Sequence, residues 1–368
     1  MQLSKRDLPT PSLLVNLEDL DSNIAMLQKA ASVAHKQLRP HAKAHKCVEI
    51  ARRQMKAGAA GVCVATLAEM QLMVSAGVGV LLTTPVASTL KTDLIAQWIR
   101  NGADITVVVD HPIQAGLYQD SAARSGVRIT VLMDLDVGDH RTGIPCDERA
   151  ITLARQIRES PNLLFAGLQA YSVSGSHTEG IENRRAHSRA ALAQAIPIQK
   201  QLLSEGFDAR KLTGGSTGTW EIDLAIPELT ELQAGSYALM DVAYRKIGAV
   251  PFKPAMTVLS TVVSASHDQF VTVDAGYKSF ATDRPFGPEA VALESVHWQW
   301  AGDEHGFLHF EKGRRTLGPG DRVEFLVPHC DPTVNLYDRI VACHGDRVEE
   351  VWPLKRLSLE SPPVLTTL

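Results

Sequence analysis

Along the first two-thirds of the chain, apolar and polar positions repeat one local unit. A stretch with helical spacing ends at a glycine, and a run of β-branched and aliphatic residues follows. The unit is clearest in MKAGAAGVCVA around Gly58, VSAGVGVLLTT around Gly77, IRNGADITVVVD around Gly102 and ARSGVRITVLMD around Gly126, and looser in SEGFDARKLTGG around Gly206. Glycine just past a helix accepts the left-handed backbone that closes the last turn. Continuous Val, Ile and Leu runs suit strands buried on both faces. Eight strands are predicted, over 37–43, 61–65, 79–83, 104–109, 128–134, 164–171, 211–214 and 230–233. Helices are predicted between them, including 44–57, 67–76, 89–100, 148–159 and 183–205. Such alternation implies parallel strands joined by right-handed crossovers. Eight units over residues 17–248 match a (β/α)8 barrel of TIM type in number and size. A doubly wound open sheet is the competitor, but no G-x-G-x-x-G follows the first strand.

Beyond about residue 250 strand-like runs follow one another with only turns between them: 257–264, 270–273, 290–300, 307–311, 322–327, 339–343 and 347–352. GPGD at 318–321 and HGD at 344–346 are turn signals. A mainly antiparallel β domain is therefore expected over residues 249–368. Residues 1–16 are assigned to it, because 12–16 is itself strand-like and can return to pair there.

Composition narrows the class. The 368 residues are 45% hydrophobic and 21% charged, an ordinary soluble balance. A net charge of -4 gives no electrostatic footprint for nucleic acid or an anionic membrane. No apolar run reaches the roughly 18–20 residues of a membrane span. The opening MQLSKRDLPTPS lacks an apolar signal core, so a cytoplasmic location is expected. Five widely spaced cysteines without a CxxC pair point to buried reduced thiols rather than disulfides or a zinc ribbon.

Barrel chemistry gathers at the C-terminal ends of the strands. In order, those ends carry Lys43; Thr66; Thr83 and Thr84; Asp110; Asp134, Asp136 and Arg141; Tyr171; Gly214–Gly218; and Gly235–Tyr237. Lys43 stands in RPHAKAHK among Arg39, His41, His45 and Lys46. Desolvation and neighbouring cations lower an amine's pKa and free it for Schiff-base chemistry. The structural alternative is an ion pair with an aspartate such as Asp134. Gly214, Gly215, Ser216 and Thr217, with Gly235, Ser236 and Tyr237, fall where barrels bind phosphate through backbone N–H groups and hydroxyls. Ordinary strand-to-helix turns are the alternative there. In the β domain, His329 and Asp331 would share one face of an extended strand, with Cys330 on the other. Imidazole plus carboxylate suits Mn²⁺ or Zn²⁺, against the alternative of a His–Asp hydrogen bond in a turn. Asp303-Glu304-His305 is a weaker group of the same kind.

Taken together, RPHAKAHK, MDLDVGDHRTG, GLQAY, TGGSTGT, ELQAGSYALMD, VDAGYKS, DEHG and PHCDPTVNLYD resemble the D-threonine aldolases. These are pyridoxal phosphate enzymes with an alanine-racemase-type barrel, a group that also holds the eukaryotic-type D-serine dehydratases. The resemblance runs from about residue 10 to 352 and implies a barrel plus a β domain, expected as a homodimer. It implies that Lys43 holds pyridoxal 5'-phosphate, that Arg141 and Tyr171 line the cofactor pocket, and that both glycine turns hold its phosphate. His329 and Asp331 would bind a divalent metal, Mn²⁺ before Mg²⁺ or Zn²⁺. His177 matches a polar position near the substrate and is the candidate base.

The activity this implies is retro-aldol cleavage of a D-3-hydroxy amino acid to glycine and an aldehyde. Asp331 stands where the dehydratases tend to carry Cys, which favours the aldolase side. Ala65-Thr66-Leu67 departs from the aldolases' frequent Gln-Lys-Val, and Ser172 stands where an aldolase often has His or Gln. The alternatives are a D-serine or 3-hydroxyaspartate dehydratase and a 3-hydroxy-D-aspartate aldolase. A racemase would leave the metal motif idle. A non-enzymatic pyridoxal-phosphate-binding protein would not need the β domain.

Overall fold

The computed structural model describes residues 3–248, 250–311 and 316–354. These form two compact units. One comprises Met26–Lys43 and Ile50–Gly235; the other takes in the described residues up to Ala25, Ala44–Glu49 and the described residues from Ser236.

In the first unit eight parallel strands pair in sequence order: Gln37–Leu38, Val62–Val64, Val80–Leu82, Ile105–Val109, Ile129–Asp136, Leu163–Ala170, Leu212–Gly214 and Glu231–Leu232. The last pairs with the first. The ring closes where Ala60 N–H donates to the Leu38 carbonyl and Cys63 N–H to the Pro40 carbonyl, both at 2.8 Å. The expected barrel is present. Its first strand is shorter than predicted. The regular strand spans only Gln37–Leu38, although Arg39 and His41 N–H still donate to the Leu232 and Ala234 carbonyls (2.9 and 3.0 Å), and the chain then folds into the 3-10 turn Ala42–Ala44. Lys43 therefore sits in a turn just past the strand.

The helices follow from their caps. Thr66 Oγ1 accepts the Glu69 N–H at the start of Leu67–Ser75, and Asp147 accepts from Arg149 at the start of Glu148–Glu159. Gly126, at φ 66°, closes Pro112–Ser125 in the left-handed conformation that its place between helix and strand predicts. The predicted helix 44–57 begins only at Val48. No helix among the described residues is long and apolar enough to cross a membrane.

The second unit holds the antiparallel sheet. Its strands run Val296–Trp300, Gly306–Phe310, Phe270–Val273, Met256–Ser264, Ser12–Asn16, Arg339–His344 and Arg347–Pro353. Arg322–Leu326 also pairs with Met256–Ser264 and carries Glu289–Ala290 on its other side. Ser12–Asn16 returns to this sheet as expected, antiparallel to Met256–Ser264 and parallel to Arg339–His344. The predicted strand 290–300 is two pieces, since Ala292 and Ser295 take positive φ (60° and 58°) and break the extended run. Four of the five cysteines are buried, Cys146 is only partly covered, and no disulfide joins them.

Cys63, Leu81, Val108 and Leu132 form one buried cluster across four neighbouring barrel strands. Leu132→Ala should lower unfolding free energy by about 2–5 kcal/mol, measured by urea denaturation. A loss below about 1 kcal/mol would show that this layer does not hold the ring together.

Candidate active site

The turns after the barrel strands enclose a cavity of about 280 Å³, lined by His41, Lys43, Ala65, Thr83, Thr84, Arg141, Thr142, Gln169, Tyr171 and Gln233. A larger cleft of about 520 Å³ lies in the other unit beside Lys5 and Arg322. Its lysine is already ion-paired to Glu324 at 2.7 Å, so volume does not mark the chemistry here.

Under the lining runs a buried polar chain. Gln169 Nε2 donates to Asp134 Oδ1 (2.8 Å) and to the Thr83 carbonyl (3.1 Å). Gln233 Nε2 donates to Gln169 Oε1 (3.2 Å) and Thr213 Oγ1 (3.1 Å). Thr142 donates to the other Asp134 oxygen at 2.9 Å. Burial pushes the Asp134 carboxyl up from its ordinary 3.8 to about 6, against the pull of these hydrogen bonds.

Arg141 rides on a loop pinned from several sides. Asp136 Oδ1 accepts the Gly138 and His140 N–H groups, Asp110 Oδ2 accepts Gly143 N–H (2.8 Å), and Asp139 accepts Val173 N–H and the Ser174 hydroxyl. The guanidinium lies 5.5 Å from the Tyr171 ring centre, within cation–π range. His41 Nε2 is 3.1 Å from Thr83 Oγ1.

The glycine turn after the seventh strand is sterically required. A Cβ on Gly214 would lie 2.0 Å from the Ala170 carbonyl oxygen, and one on Gly215 would meet Asp223 and Leu232 at 2.5 and 2.6 Å. Asp223 holds the turn from within: Ser188 and Thr219 donate to it, and Thr219 Oγ1 in turn accepts Ser216 N–H (3.2 Å). Burial raises its carboxyl to about 6. Ser216 and Thr217 are both buried.

Thus Lys43, Arg141 and Tyr171 share one cavity. Gly214, Gly215, Ser216 and Thr217 lie at the end of the seventh strand of the same unit and just after it, outside the cavity's lining residues, and Gly235 follows its eighth strand. His177 ends the short helix Val173–Ser176, half-buried, and is not among the cavity's lining residues. Ser236 and Tyr237 lie in the 3-10 turn Ser236–Ala238 of the second unit, with Tyr237 packed edge-on against Phe252.

The second unit also carries His329 and Asp331, and here the expected strand is replaced. Cys330–Val334 is a short helix, its start favoured by Pro332 in the first turn, where amides lack intrahelical partners. The pair still converges: His329 Nε2 is 3.7 Å from Asp331 Oδ2, which also accepts from Ser236 Oγ (3.4 Å). Cys330 points away, buried, with its N–H and thiol both on Asp241 (2.9 and 3.0 Å). His329 Nδ1 meets Asp283, a residue sequence reading passed over because 46 positions separate the two. Asp303 and Glu304 make exposed ion pairs with Lys278.

A closed parallel barrel running from its first strand into a lysine-lined cavity is the architecture of an α/β-barrel enzyme. The chain matches "Alanine racemase, N-terminal domain" over residues 15–241 and "Putative serine dehydratase domain" over residues 255–343, and it belongs to the alanine racemase N-terminal domain family. It is 37% identical to the D-threonine aldolase of Arthrobacter sp, covering 94% of this chain and 92% of that one. It is 30% identical to the 3-hydroxy-D-aspartate aldolase of Paracoccus denitrificans (strain Pd 1222), covering 96% and 93%. The crystal structure of D-threonine aldolase from Filomicrobium marinum superimposes with a TM-score of 0.92 at 31% identity, covering 96% and 97%.

The raised Asp134 carboxyl makes a stability prediction. The folded state holds its proton more tightly than the unfolded chain, so this stabilisation is full below about pH 3.8 and is lost as pH rises through about 6. Asp134→Asn carries no titrating proton. Its stability relative to wild type should rise across that window by at most about 3 kcal/mol, measured by urea unfolding at a series of pH values. Asp223 titrates in both proteins and cancels. A pH-independent difference would contradict the assignment.

Proposed function

We propose that the protein is a pyridoxal-phosphate- and divalent-metal-dependent lyase that cleaves D-3-hydroxy amino acids, D-threonine among them, to glycine and an aldehyde. The observation carrying this reading is the convergence of Lys43, Arg141 and Tyr171 on one cavity, in a chain similar to a D-threonine aldolase over nearly its whole length.

The residues present fit the cofactor. Lys43 offers a primary amine that would hold its aldehyde carbon, Arg141 and Tyr171 offer a cation and a ring on the same cavity, and the Gly214–Thr217 turn is the segment proposed to hold its phosphate. When bound, pyridoxal phosphate supplies the electron sink for the pair released as Cα–Cβ breaks. Gln169 and Gln233, held by Asp134, keep the cavity wall polar and fixed. His329 and Asp331 would supply the nitrogen and oxygen donors for a divalent ion, Mn²⁺ by preference, and such an ion would supply Lewis acidity. His177 is the candidate base.

A dehydratase giving a 2-oxo acid and ammonia is the second reading, favoured by the serine dehydratase domain match and by Ala65-Thr66-Leu67. That tripeptide has a structural account, however. Thr66 caps the following helix, and Ala65 N–H donates to Glu69 at 2.7 Å. It therefore weighs little on substrate choice, and Asp331 weighs more.

Incubation with pyridoxal phosphate, Mn²⁺ and D-threonine, D-serine, D-phenylserine or the 3-hydroxyaspartates should yield glycine plus an aldehyde, with activity lost on chelation and restored by Mn²⁺. A 2-oxo acid with ammonia as the main product would move the protein to the dehydratases. Combining His329→Ala with Asp331→Ala should lower cleavage by about 100-fold or more; undiminished turnover would reject the metal's role.

A further inference from the structure

Asp283 touches His329 from the side opposite Asp331: His329 Nδ1 to Asp283 Oδ2 is 2.7 Å, whereas His329 Nε2 faces Asp331 Oδ2. A carboxylate only accepts, so the imidazole donates from Nδ1, and Nε2 is the ring nitrogen turned toward Asp331. Nε2 is thus the atom that a cation beside Asp331 would meet. Among the described residues no group of three or more His, Cys, Asp and Glu gathers as a metal cage. Asp283 is thus placed to act through His329 rather than beside it as a ligand.

The contact is built into the fold. Ala281 N–H donates to Thr333 Oγ1 (3.1 Å), and the same hydroxyl donates to the His329 carbonyl (2.7 Å). Tyr337 OH donates to the Ser279 carbonyl at 3.0 Å. Between these ties Phe280 is fully buried, edge-on to Trp298 (5.4 Å) and Phe325 (5.9 Å). The segment bearing Asp283 is thereby held in register with the helix whose N-cap is His329. Arg284 Nε, 3.5 Å from Asp283 Oδ2, adds a cation beside the carboxylate.

We infer that Asp283 is a positioning residue that fixes the tautomer and ring orientation of His329 for divalent-cation binding at Nε2. The inference rests on the metal reading above, so the test separates the two. Mn²⁺ affinity is measured by electron paramagnetic resonance on the pyridoxal-phosphate-loaded wild type, Asp283→Ala, Asp283→Asn and His329→Ala, with melting temperature and the cofactor's visible band recorded for each. Asp283→Ala should weaken Mn²⁺ binding by about 10- to 100-fold, with an unchanged band and melting temperature. Asp283→Asn, whose amide oxygen still accepts the Nδ1 proton, should recover most of the loss. Wild-type affinity in Asp283→Ala, with binding lost in His329→Ala, would overturn the role of Asp283 alone. Equal losses in both Asp283 variants with lowered melting temperatures would overturn it as well, since a folding defect does that. Wild-type affinity in His329→Ala would overturn the metal reading itself.

Discussion

The candidate site depends on one buried hydrogen-bond chain. Asp134, Gln169, Gln233 and Thr213, with the carbonyl of Thr83, link the ends of five barrel strands just beneath the cavity. In so dry a setting each polar atom must be paired, because an orphaned one costs about 1–3 kcal/mol, and a complete network specifies a single arrangement. Burial sets the protonation of the acid that anchors it. The closed ring supplies the strands and this chain fixes five of their ends, including the one before Arg141, while His41 ties the segment leading to Lys43 to Thr83 and Ala234 (3.1 and 3.0 Å).

A second network does the same work at the seventh strand. Asp223 is buried beneath the glycine turn and holds it through Ser188, Thr219 and Ser216, while the absence of side chains at Gly214 and Gly215 lets the backbone pass Ala170 and Leu232. Glycine there answers a packing constraint. In the other unit, Asp241 holds Cys330 and Asp283 holds His329, so the buried cysteine and the histidine before it are each oriented by a carboxylate remote in sequence.

Much of this was legible from the chain alone, for physical reasons. Parallel barrel strands are buried on both faces and so read as unbroken aliphatic runs, and the glycines that end helices mark their edges. Hence all eight strands lie where the pattern puts them, and Lys43, Arg141 and Tyr171 converge as strand-end residues should. The misses have causes. The first strand gives way to the Ala42–Ala44 turn, positive φ at Ala292 and Ser295 splits a predicted strand, and the segment after His329 coils into a helix that period-two reasoning does not foresee. Asp283, Asp223 and Gln169 went unremarked as functional residues because a polar residue's partner across tens of positions leaves no local pattern. The motifs shared with the D-threonine aldolases carried cofactor and metal further than spacing did.

The central claim is that Lys43 is the covalent seat of pyridoxal phosphate. Borohydride reduction of the cofactor-loaded protein, followed by peptide mass mapping, tests it directly. The account predicts one phosphopyridoxyl group per chain, on Lys43, and no stable incorporation in Lys43→Ala. Labelling of another lysine, or undiminished labelling of the variant, would contradict it.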